Sequence, residues 1–432
     1  MKKRTISLLL TAIIAFSAVG AACSDGQKNE SSAVQSSPTS SQLSEESSKA
    51  ESKDESKDES KDESKDESKT GTVSDTSVES DADDIPAAWK DDGIFSANYS
   101  RAYKMVKEMS TEEKVGQMIL SACPAIDGSE EAKTYHLGGY VLFGRDFDDS
   151  MSKSEITANI RSYVDSQDIP MIIATDEEGG EVSRLSWNEE LTDHHFKSPR
   201  ELFEIGGIDA IIEETKEKNT LMKSLLINTN LAPVCDICKS ENEFMYERSL
   251  GQEADITAEF VRRFTDVSQE SGISVTLKHF PGYGNNLDTH TGVAVDDRNY
   301  ETFEKYDFVP FQAGIDAGAH MVLVSHNIIN CMDPDHPASL SPEVHRILRE
   351  KLGFTGVIVT DSLEMDAISK YFTDYSPSVA AVLAGNDMIC VADYQQTYND
   401  ILNAVENGTV DIDLVDHAAT RIIAWKMSKG MM

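Results

Sequence analysis

The sequence predicts an α/β fold: a single (β/α)8 barrel of the TIM type, preceded by a cleavable leader and an acidic polar linker. Three observations predict it. From Ile85 onward, short apolar β-branched runs alternate with segments of helical period. Strands buried on both faces need continuous apolar runs, and βα alternation implies a parallel sheet. Eight such runs within residues 85–432 suit a closed eight-stranded barrel better than an open doubly wound sheet. Polar or charged residues also stand at the ends of several runs, at the mouth where a barrel gathers its active site.

In chain order, residues 1–23 read as a signal peptide. Lys2, Lys3 and Arg4 give a positive start, an apolar run follows from Ile6 to about Val19, and Gly20-Ala21-Ala22 precede Cys23. The run is shorter than the about 20 residues that span a bilayer, which favours a leader over an anchor helix. A cysteine directly after small residues resembles a lipobox, with lipid attached at Cys23, although Gly20 stands where such sites usually carry Leu. The expected location is therefore the outer face of a bacterial cell membrane, as a lipoprotein, or free secretion.

Residues 24–84 hold 18 acidic and 7 basic side chains, and Ser-Lys-Asp-Glu repeats four times from Ser52 to Glu67. No apolar face offsets the entropy of ordering such a chain, so a disordered tether is expected, with a coil dimension on the order of 40 Å. Removing the −11 of this linker and the +3 of the leader from the total of −37 leaves −29 for residues 85–432. A surface of that sign repels phosphate backbones and excludes nucleic acid as a partner.

The predicted strands are 115–122, 139–143, 171–175, 225–231, 274–277, 321–325, 356–360 and 387–391; the first could also be helix. Helical period marks 154–164, 258–270, 342–351, 378–384 and 414–427. Asp176, Lys278 with His279, His326 and Asp361 each follow a strand, so all four positions open onto one mouth. Beyond Cys23 an odd five cysteines remain, which rules out complete pairing. Cys235-Asp-Ile-Cys238 has no second Cys pair and no His at zinc spacing, so small core residues are expected there. The adjacent His194-His195 are poorly placed to chelate one ion, and neither His-Glu-x-x-His nor a phosphate loop occurs. No metal or cofactor is expected.

The segment Lys278-His279-Phe280-Pro281-Gly282-Tyr283-Gly284, followed by Asp288-Thr289-His290, resembles the bacterial β-N-acetylglucosaminidase (β-N-acetylhexosaminidase) branch of glycoside hydrolase family 3. Further matching stretches are Asp176-Glu177-Glu178-Gly179-Gly180 with Arg184, Glu247-Arg248-Ser249-Leu250-Gly251, Pro337-Ala338-Ser339-Leu340-Ser341, and Gly353-Phe354-Thr355-Gly356 running on to Asp361. The resemblance spans about Ser110 to the C-terminus.

It implies a retaining glycosidase in which Asp361 attacks the sugar's anomeric carbon and His290, oriented by Asp288, serves as acid and base. A carboxylate beside an imidazole stabilises its protonated form, which suits a proton donor. The resemblance further implies that Asp176, Arg184, Arg248, Lys278 and His279 hold the sugar hydroxyls. Glu177, Glu178 and Glu181 would be supporting or rim residues. Gly282, Gly284, Asn285 and Asn286 suggest a mobile carrier loop. Three departures stand out: Tyr283 replaces a more common His, the spacing to the Asp288–His290 dyad is one residue shorter than in some members, and Glu181 takes a place often held by Arg.

The expected substrate is terminal β-linked N-acetylglucosamine on peptidoglycan fragments or chitin-type oligosaccharides, handled by a monomer. Four rivals remain open: a phosphorylase, a β-glucosidase of the same family, an aldolase-like lyase using Lys278 as a Schiff base, and a noncatalytic wall-binding lipoprotein.

Overall fold

The computed structural model describes residues 85–86, 93–290, 292–369 and 375–432. The chain divides into Met1–Thr76 and Ser77–Met432, and the described residues all belong to the second unit. The leader, Cys23 and the Ser-Lys-Asp-Glu linker lie outside them.

Eight parallel strands form one sheet: β1 (Ile119–Ala122), β2 (Gly139–Leu142), β3 (Ile172–Thr175), β4 (Thr229–Asn230), β5 (Ser274–Phe280), β6 (Met321–Val324), β7 (Val357–Thr360) and β8 (Ile389–Val391). They are paired in sequence order, with β8 against β1. The ring is completed between β7 and β8, where Val359 bridges Met388 and the amides of Asp387 and Met388 donate to the Ile358 carbonyl. The expected (β/α)8 barrel is thus the observed fold, and each of its strands but β5 falls within a predicted run. Nearly every strand residue is buried, as a sheet covered by helices outside and side chains inside demands.

Two boundaries differ from expectation. Residues 115–117 of the first run belong to a short helix, Thr111–Gln117, and only Ile119–Ala122 enter the sheet. Its start is fixed by a capping box: Ser110 Oγ accepts from the Glu113 amide while the Glu113 carboxylate accepts from the Ser110 amide. Strand β5 runs three residues past its predicted end, so Lys278 and His279 lie inside the strand and not beyond it. The segment after β4 is held alongside, with the Cys235 amide donating to the Lys278 carbonyl at 2.6 Å.

Among the outer helices, Lys153–Val164, Ala254–Ser271, Pro377–Ala384 and Ile412–Ser428 cover the predicted ones, and Pro342–Arg346 continues as a wider turn through Lys351. Pro199–Ser224, the longest, was not anticipated; it begins at a Ser198–Glu201 capping box and breaks at Gly206-Gly207. The first described helix, Ser96–Glu108, packs on the last, where Lys107 and Lys114 both pair with the buried Asp416. No helix among the described residues is long and apolar enough to cross a membrane.

Candidate active site

The ends of β3, β5, β6 and β7 carry the charged residues of the barrel mouth. Asp176 follows β3, and its carboxylate accepts from Lys278 Nζ on β5 at 2.8 Å, with Arg184 3.7 Å away. Lys278 also lies 2.6 Å from Glu178 Oε1. Glu178 in turn takes two bonds from Arg248, at 3.0 and 2.7 Å. Glu178, Lys278 and Arg248 therefore form one buried charge chain. Burial would push the Glu178 carboxyl up, but Arg248 and Lys278 outweigh it and hold it far below the ordinary carboxylate range. Burial likewise opposes the Lys278 ammonium, and Asp176 and Glu178 more than restore it. Among the described residues, Arg184 Nε is buried and has no hydrogen-bond partner.

His279 is ordered from both sides. Its Nδ1 meets Asp236 Oδ2 at 2.7 Å, and its Nε2 lies 3.3 Å from Arg248. Asp236 also accepts the His279 amide on that oxygen and the Tyr283 amide on the other, at 2.7 Å.

Asp361 follows β7. Its amide continues the sheet by donating to Val324, and its Oδ1 accepts the Ser362 amide at 2.9 Å. Burial favours the neutral acid, yet the imidazoles of His326, His279 and His290, with the Ser362 amide, hold the Asp361 carboxyl below the ordinary carboxylate range. His326 is fully buried between the Ser339 hydroxyl on Nδ1, at 2.7 Å, and the Ser362 carbonyl on Nε2, at 2.9 Å.

The loop after β5 carries Asp288 and His290. Asp288 Oδ1 sits 2.6 Å from His290 Nδ1 and also accepts the His290 amide. The His290 side chain is 51% exposed, and its ring packs edge-on against Phe244.

The structure brings the predicted residues into two groups: Asp176, Arg184, Arg248, Lys278 and His279 in one linked chain, and Asp361 within the electrostatic reach of His279, His290 and His326. Two residues gain importance. Glu178 is the hub of the charge chain. Asp236, hidden in the stretch read as a Cys-x-x-Cys core segment, lies just beyond the fourth predicted strand, a position that marks it for notice. Cys235 and Cys238 are indeed buried free thiols. Glu177 is buried and anchors the loop after β3 by accepting the Arg184 and Leu185 amides, each at 2.9 Å. Glu181 is exposed.

A model of the glycosyl hydrolase family 3 N-terminal domain matches residues 110–425. The β-hexosaminidase of Nitrosomonas eutropha is 29% identical over 292 residues, covering 65% of this chain and 81% of its own. That of Xylella fastidiosa strain M23 is 32% identical over 280 residues, 62% and 80% of the two chains. Among solved structures, a family 3 β-N-acetylglucosaminidase from Paenibacillus sp. superposes with a TM-score of 0.67 at 29% identity over 74% of this chain. This chain spans only 63% of that one. The β-N-acetylhexosaminidase of Beutenbergia cavernae gives 0.65 at 27%, over 75% and 99% of the two chains.

With the barrel, these likenesses define the class of protein: an O-glycosyl hydrolase on a (β/α)8 scaffold. Within that class the chain belongs to glycoside hydrolase family 3, and the relatives named here are its β-hexosaminidases and β-N-acetylglucosaminidases.

Proposed function

We propose that the protein is a retaining β-N-acetylhexosaminidase that releases terminal β-linked N-acetylglucosamine, with Asp361 as nucleophile and His290, oriented by Asp288, as acid/base. The observation that carries this reading is the pairing of an ionised strand-end carboxylate, Asp361, with an exposed imidazole whose Nδ1 is already engaged by Asp288. His290 Nε2 is then the nitrogen that exchanges the proton.

In the first step an Asp361 oxygen bonds to the anomeric carbon. The glycosidic C–O bond breaks with its electron pair on the leaving oxygen, which takes the proton from His290 Nε2. In the second, water gives a proton back to His290 and displaces Asp361 from the same carbon, restoring the β configuration. Asp176, Lys278, His279, Arg248 and Arg184 would grip the sugar hydroxyls. A rigid charged mouth suits a polyhydroxylated ring, because each polar group gains a partner on binding. The substrates named by the relatives, and the expected export of the chain, favour peptidoglycan fragments or chitin-type oligosaccharides.

Hydrolysis of 4-nitrophenyl N-acetyl-β-glucosaminide by wild type, Asp361→Asn and His290→Ala tests the reading. The first variant should lose at least about 10⁴-fold in kcat, and the second should suffer most on poor leaving groups. A mechanism-based fluorosugar should label Asp361; a label carried only elsewhere overturns the assignment. N-acetylglucosamine 1-phosphate formed in phosphate buffer would mark a phosphorylase, and faster turnover of the glucoside would mark a β-glucosidase.

A further inference from the structure

We propose that Tyr283 and Thr289 are positioning residues that lock the His290 loop in place beside Asp361 before any substrate arrives. This rests on the acid/base role given to His290 above.

A stretch containing Gly282, Gly284 and two asparagines suggests a loop free to swing, yet its ends are tied. The Tyr283 phenol is hydrogen-bonded to Thr289 Oγ1, and its oxygen accepts the Thr289 amide at 3.4 Å. This closes the loop on itself, start to tip. The tip is also fastened to the segment after β7, where the Thr289 carbonyl accepts the Ala367 amide, 3.3 Å away, six residues past Asp361. At the root, the Tyr283 amide donates to Asp236, the same carboxylate that orders His279.

Burial divides the loop in the same way. Tyr283 is 2% exposed and Thr289 fully buried, while the neighbouring His290 side chain is half exposed. Phe244 supports the arrangement, with ring contacts to both Tyr283 and His290. Burial, reinforced by the Asp361 charge, raises the Tyr283 phenol well above its ordinary range, so it keeps the hydrogen that it shares with Thr289.

The chemical consequence is preorganisation. A histidine beside a buried, doubly bonded threonine samples few orientations, so a large fraction of free enzyme holds the donor ready. If the lock is removed, that fraction falls and the protonation-dependent rate falls with it, while sugar contacts made by β3 and β5 persist.

Tyr283→Phe deletes only the hydroxyl, and Thr289→Val is isosteric should the first variant fold poorly. Each should lose about 10-fold in kcat on N,N′-diacetylchitobiose, with KM held within about two-fold. On the 2,4-dinitrophenyl glycoside, whose leaving group needs little protonation, the loss should stay below about two-fold. Thr289→Ser should restore the disaccharide rate, a rescue that simple loss of folded protein would not show. Equal losses on both substrates, or none on the disaccharide, overturn the lock alone, provided His290→Ala still discriminates between leaving groups. If His290→Ala does not discriminate, the proton-donor reading fails and the lock fails with it.

Discussion

Replacing Lys426 by Met should make the protein's stability markedly less dependent on pH. Lys426 is fully buried in the terminal helix, and its Nζ donates to Gln117 Oε1 at 2.6 Å and to the Gly138 carbonyl at 3.0 Å. These partners are neutral, and burial pulls its pKa from 10.5 down to about 7. The unfolded chain therefore binds a proton that the folded chain gives up across the window from about 7 to 10.5. Stability rises with pH through that window, because the unfolded state holds more protons there.

At about 1.4 kcal/mol per unit, the gap amounts to roughly 5 kcal/mol at the acid end, of which about 2 kcal/mol is relieved between about pH 7 and 9. Methionine leaves Gln117 Oε1 without its donor, while the Gly138 carbonyl keeps the Ile172 amide, a cost of about 1–3 kcal/mol that does not vary with pH. Other titrating groups cancel when the two proteins are compared. Guanidinium unfolding of both at about pH 7, 8 and 9 should show wild type gaining about 2 kcal/mol on the variant. A difference flat within about 0.5 kcal/mol would refute the assignment of a largely neutral Lys426.

Two further substitutions probe the mouth. Glu178→Gln leaves Lys278 and Arg248 short of their shared carboxylate; breaking so buried a pairing should cost about 3–5 kcal/mol in chemical unfolding and raise KM for the N-acetylglucosaminide. Gly282→Ala sets a methyl group against the Asp307 carboxyl at a φ of +123°, so a stability loss of about 1–3 kcal/mol is expected by thermal unfolding, with kcat on the disaccharide falling alongside.

The barrel was legible because its strands are buried on both faces: runs such as Ile172–Thr175 and Val357–Thr360 carry no alternation that an exposed sheet would need. The first run misled because apolar content alone cannot separate Val115 on a helix from Ile119 on a strand; the Ser110–Glu113 capping box was the deciding signal. The same signal at Ser198–Glu201 marks the long helix that periodicity missed, its amphipathic pattern being broken at Gly206-Gly207.

Strand-end placement led to Asp176, Lys278, His279, His326 and Asp361, since topology alone gathers those positions. Glu178 and Asp236 were harder to weigh. Their importance comes from partners 70 and 43 residues away, and no local spacing encodes a pair that exists only after folding. The tied state of the His290 loop was hidden for a similar reason, since its glycines advertise freedom while Tyr283 and Thr289 remove it.

Plugging both nitrogens of His326 has a consequence for enzymology. The Ser362 carbonyl can only receive a hydrogen, so at neutral pH the ring's single N–H points there, and the Ser339 hydroxyl fills the other nitrogen with its own hydrogen. With burial also lowering its basicity, the His326 ring is a spectator to proton traffic. Titration inflections in the rate profile then belong to other groups, and the imidazole resonance of His326 should stay still in an NMR titration across them.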